Sequence, residues 1–160
     1  MTGLLGGVAR PRLRFLRSVI LVVSVLGLAA QATAVTASAS GVNVTGGGST
    51  TGITRFALGV QDGRGHFECL MPGLMTVQAT VQSAQLQPGA GPTSVVLSGI
   101  ASVNLAEGNP FGMPAGPMAV GVKFTATVVA GGPWIGSEDL NILGMDFPGT
   151  IVHGQINIGG

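Results

Sequence analysis

From residue 52 onward the chain alternates apolar and polar residues with a period of two, and this alternation limits its fold more than any other feature. The clearest run sets Met75, Val77, Ala79 and Val81 against Thr76, Gln78, Thr80 and Gln82. Successive side chains of a strand point to opposite faces, so one face of this run is apolar and the other polar and uncharged. That is the pattern of a half-buried antiparallel strand. It recurs at Phe56, Leu58 and Val60, then at Phe67, Cys69 and Met71. It recurs again at Val95, Leu97, Gly99, Ala101, Val103 and Leu105, and at Val120, Val122, Phe124, Ala126 and Val128. Residues 138–143 and 150–158 supply two further runs. The last of these sets Val152, Ile156 and Ile158 against His153, Gln155 and Asn157.

Turn chemistry separates the runs. Asp62-Gly63 between two alternating segments is a hairpin signal, and Pro72-Gly73 is a turn signal. Gly99 inside a long run marks a bend or a bulge. Residues 107–118 hold three Pro and three Gly among twelve, which predicts a sizeable loop. About seven strands with no amphipathic helix among them predict an all-β domain, a small antiparallel β-barrel with a β-sandwich as the alternative. Sparse Lys leaves few guards on an open sheet edge, which favours closure.

The first 34 residues read as an export signal. Arg10, Arg12, Arg14 and Arg17 precede thirteen uncharged residues, 18–30, and Ala32-Thr-Ala34 places small residues before a cleavage point after Ala34. Thirteen residues span about 20 Å as a helix, short of the roughly 20 residues that a bilayer needs. The alternative is a membrane anchor through uncleaved residues 18–30. The expected organisation is a helical signal peptide at 1–34, a flexible Gly/Ser/Thr-rich lead-in at 35–51 with a short strand at 42–45, and one β-domain at 52–160. Without the leader, three cations (Arg55, Arg64, Lys123) face six acids, a net charge of −3. A chain with three scattered cations has no stripe for phosphates, so no nucleic acid is expected as a partner. No membrane partner is expected after signal removal.

Candidate chemistry is thin. Cys69 is the only cysteine, and strand phase places it beside Phe67 on the apolar face, as a buried small hydrophobe; a disulfide between molecules is the alternative. His66 lies on the opposite face of the same strand, so the two cannot form a dyad. His66 and Glu68 share a polar face at i and i+2, which with His153 gives a weak metal candidate; solvation is the simpler reading, and no cofactor is expected. Glu138 and Asp139 are adjacent, so on a strand they point apart, and solvation at a strand start accounts for both. Trp134 lies in a Gly-rich loop. It either stacks on a sugar or anchors a partner, or folds back as a lid over a barrel end. Phe111, in the 107–118 loop, has the same two readings.

Val44-Thr-Gly-Gly-Gly-Ser49, Thr54-Arg-Phe-Ala-Leu-Gly-Val60, Gly65-His-Phe-Glu-Cys69, the acidic-aliphatic strand after Gly131-Gly132 and the closing Gly154-Gln-Ile-Asn-Ile158 carry a resemblance. Together they resemble small exported bacterial all-β domains of unassigned function, with a V-T-G-G-G opening and a G-x-F-E strand. The resemblance spans most of 44–158 and departs at the 107–118 loop and at Trp134. It implies the fold and carries over no functional residue. The expectation is a secreted, non-enzymatic β-domain, a structural or adhesion-like accessory at the cell surface or in the medium, with a protein or glycan as its partner. The alternative is a binding module for a glycan or small apolar ligand, using the barrel mouth, Trp134 and the 107–118 loop.

Overall fold

A computed structural model describes residues 41–51, 54–89 and 91–159. The expected signal peptide, its cleavage at Ala34, the anchor alternative at 18–30 and the lead-in through residue 40 lie outside these residues. The described chain forms eight strands: β1 (Asn43–Thr50), β2 (Arg55–Gln61), β3 (Arg64–Met71), β4 (Met75–Gln87), β5 (Ser94–Leu105), β6 (Gly116–Val129), β7 (Ser137–Ile142) and β8 (Met145–Gly159). Each pairs antiparallel with its sequence neighbours, and β8 pairs back onto β1 to close a barrel. The sandwich alternative is thereby set aside.

The turns follow from their residues. Asp62 and Gly63 both take positive φ, 49° and 76°, as a two-residue hairpin turn of primed type requires. Leu143 and Gly144 repeat this at the β7–β8 turn with φ of 55° and 76°. At Pro72-Gly73 the Leu74 N–H donates to the Met71 carbonyl at 3.0 Å, closing a four-residue turn.

The apolar faces point inward. Phe67, Cys69, Val77, Leu97, Ala126, Leu140 and Ile151 belong to one core cluster of buried residues. An eight-stranded barrel is about wide enough for side chains to fill it. The outer wall carries the alternating Thr, Gln, Ser and Asn positions, the reverse of a barrel with a lipid-facing apolar band.

Three expectations need correction. The Gly-rich run expected as a flexible lead-in is β1, paired with both β2 and β8, so the barrel domain starts before residue 52. Glycines erase the period because they place no side chain on either face. In β8 a register shift opposite Ser49 and Thr50 puts Ile151 inside, where simple alternation would put Val152. Val120 is 77% exposed, because the register of β6 against β5 shifts at Gly121, which pairs Val120 with Ser102 and packs Ala119 against the core in its place.

Candidate functional site

The β6–β7 loop forms part of the barrel wall. β7 has six residues and covers β8 only from Met145 to Thr150. Beyond that point the loop lies along β8 instead. Gly131 and Ile156 exchange two backbone hydrogen bonds of 2.9 Å, the Trp134 N–H donates to the Ile151 carbonyl at 2.8 Å, and the Ile151 N–H donates to the Gly136 carbonyl at 2.9 Å. Inside the loop the N–H groups of Ile135 and Gly136 both donate to the Gly132 carbonyl. A side chain at Gly136 would run into the Gly131 carbonyl at 2.6 Å and Ile151 Cδ1 at 2.7 Å, so the loop closes this tightly only with glycine there.

Trp134 sits at the head of this pinned loop with φ of 64°, a left-handed conformation that costs a non-glycine residue roughly 1–2 kcal/mol. Its side chain is 70% exposed, and Ile135 beside it is 68% exposed. The lid reading of Trp134 is therefore corrected: the indole stands in solvent and closes nothing. No charged residue occurs between Lys123 and Glu138, so the loop that displays Trp134 and Ile135 carries no charge of its own.

Phe111 lies at the other end of the barrel. The loop between β5 and β6 is built around Asn109, a buried residue that sequence reasoning passed over. Its Nδ2 donates to the carbonyls of Ala106 (2.9 Å) and Met113 (2.8 Å), and its Oδ1 accepts from the N–H groups of Phe111 (3.2 Å) and Met113 (3.4 Å). Phe111 and Met113 are exposed. In an up-and-down barrel the β5–β6 and β6–β7 connections lie at opposite ends. A single site combining Trp134 with the 107–118 loop is thus not formed.

The metal candidates stay apart. His66 and Glu68 are exposed on β3 and His153 is exposed on β8, with β2 and β1 between them in the sheet order. Among the described residues no three metal-type ligands cluster.

The interior holds the largest departure from the sequence reading. Glu138, expected to be solvated, is 0% exposed, and among the described residues neither of its carboxyl oxygens has a hydrogen-bond partner. Burial first, and then the neighbouring Asp139 charge, raise its pKa to about 7. Thr50 is also buried, and its hydroxyl is likewise unpartnered. Its side chain packs over Gly149, the cross-strand partner of Glu138. Cys69 is buried as expected; burial pushes its thiol pKa well up, and Glu138 pushes it further. The signal for Glu138 was in the strand phase. Leu140 and Ile142 are apolar while Asp139 and Asn141 are polar, so alternation places Glu138 inside.

Comparison of the chain with protein-family models, with curated proteins and with solved structures finds no match.

Proposed function

We propose that this protein is an exported, non-enzymatic barrel that acts as an adhesion-like binding accessory, with Trp134 and Ile135 as its contact surface and a glycan as its ligand. The carrying observation is Trp134 itself: an indole 70% exposed, in a left-handed backbone conformation, on a loop fixed to β8 by backbone hydrogen bonds. Strained, over-determined residues cluster at contact sites, because the fixed geometry reduces what binding must order. A flat, uncharged indole stacks on the apolar face of a sugar ring. The non-enzymatic part is supported by the positions of the reactive groups. The Cys69 thiol is buried and held protonated, while His66 and His153 lie outside.

Trp134 is the only Trp and the chain has no Tyr, so its emission reports the site directly. Titration with soluble cell-wall oligosaccharides should shift this emission to the blue and saturate. Trp134→Ala should abolish binding by calorimetry and change stability by no more than about 0.5 kcal/mol, as for an exposed side chain. Unchanged emission across a panel of oligosaccharides, or binding retained by Trp134→Ala, would overturn the proposal.

A further inference from the structure

Glu138 is joined to the Trp134 loop by a short path of backbone. It lies two residues after Gly136, whose carbonyl accepts from the Ile151 N–H. The Ile151 carbonyl in turn accepts from the Trp134 N–H. Ile151 is itself fully buried and stands two residues from Gly149, the register partner of Glu138. The backbone of Ile151 therefore holds the loop, while its side chain fills the same interior as the acid, as a diagonal neighbour on one face.

Among the described residues nothing facing Glu138 favours its charge. Its register neighbours are Val128 on β6 and Gly149 on β8. Thr50 approaches from β1 with a neutral hydroxyl. Cys69 on β3 is the other buried titratable group of the described interior, and it carries no positive charge. Asp139 points outward on β7 itself, flanked by Thr127 and Pro148. Arg55, Arg64, Lys123, His66 and His153 are all exposed on the outer wall. A neutral carboxyl in this position costs little more than its missing hydrogen bonds. An unpaired carboxylate there costs far more, and must admit water or leave.

We infer that Glu138 is the proton switch of the Trp134 display. When the carboxyl is neutral it stays inside and the loop stays pinned to Ile151. When it ionises, the start of β7 turns outward to hydrate it, the Gly136–Ile151 contact opens, and Trp134 loses its fixed pose. The shortness of β7 concentrates the movement at this end, because only Ser137 separates Glu138 from the loop. The consequence for ligand rests on Trp134 being the contact residue; the switch itself does not.

The test therefore reads the loop without ligand. Acrylamide quenching of Trp134 and hydrogen exchange at the Trp134 and Ile151 amides, corrected for intrinsic rates, would be followed from about pH 5.5 to 8.5 across the raised titration. The intact protein should show a one-proton transition, with protection at both amides falling about tenfold or more on the alkaline side. Glu138→Gln, which holds the neutral form at every pH, should abolish the transition. Glu138→Met is the second variant if the amide is poorly accommodated. Asp139→Asn should keep the transition and move it to lower pH. A transition that persists in both Glu138 variants assigns it to another group and overturns the inference. So does a folded protein with pH-independent quenching and exchange. Failure of oligosaccharide binding alone would overturn the glycan reading and leave these results standing.

Discussion

Burial, with the Asp139 charge beside it, raises the Glu138 carboxyl from 4.5 to about 7, and stability must follow. Between those values the folded state holds a proton that the unfolded state has released. Stability contributed by this group is therefore greatest below about 4.5, falls as pH rises, and levels off above about 7. The total loss is on the order of 3 kcal/mol. Urea midpoints measured across this window should fall for the intact protein and stay nearly level for Glu138→Gln, which should be the more stable of the two on the alkaline side. Equal slopes for both proteins would mean that the acid is not buried as described. Cys69 gives a second reading of the same interior. Its thiol is buried and its ionisation is disfavoured by burial and by Glu138. A thiol reagent should leave it untouched in the native protein and label it completely in urea, because the thiolate is the reactive species. Rapid native labelling would show an interior open to solvent.

Along single strands, legibility depended on where side chains exist to carry a period. β4 and β5 were plain because both their faces are populated, and the inward set Val95, Leu97, Ala101, Val103 and Leu105 is buried as alternation predicts. β1 was misjudged because Gly46, Gly47 and Gly48 leave neither face marked. Ile151 was missed because a bulge shifts phase without any compositional sign. Val120 faces outward for the same kind of reason: a second bulge, at Gly121 on β6, sets it opposite Ser102. Glu138 is hard to place for a different reason: its charge argues for solvent while its strand phase points inward. Gly99 was legible as an irregularity, and the structure gives its cause. The register of β4 against β5 shifts between Val81 and Ser83, directly beside Gly99. A side chain at Gly99 would run into the Thr80 carbonyl on the neighbouring strand. Gly99→Ala should therefore destabilise the barrel by about 1–3 kcal/mol, the range for overpacking against a main chain that must shift. The same change at Gly59, where an added methyl meets nothing within 4 Å, is the control and should cost much less. Similar losses at both positions, read from urea midpoints, would refute the close approach at Gly99.

Closure is what the whole molecule adds to its strands. An open sheet with so few charges would present bare edges, and unguarded edges recruit other chains. Here β8 removes them by pairing from Ile151 to Gly159 with β1, which brings Asn43 and Gly159 into register as neighbours. Those two positions are thus close enough for a linker of about four residues to join them. New ends opened between Gly91 and Pro92, both exposed in the turn between β4 and β5, cut no strand. A permutant built this way should fold to the same barrel, with a far-ultraviolet spectrum and a single cooperative urea transition close to those of the parent. A chain ending at Val152 lacks most of the residues that pair with β1 and should unfold or self-associate, because β1 and the wall along β8 then lose their partners together. The permutant and the shortened chain separate closure from mere compactness. If the truncated chain stayed monomeric and cooperatively folded, the β1–β8 seam would not be what completes this molecule. If the permutant failed while the parent folded, the order of the strands along the chain would matter in a way that an up-and-down barrel with adjacent ends does not require.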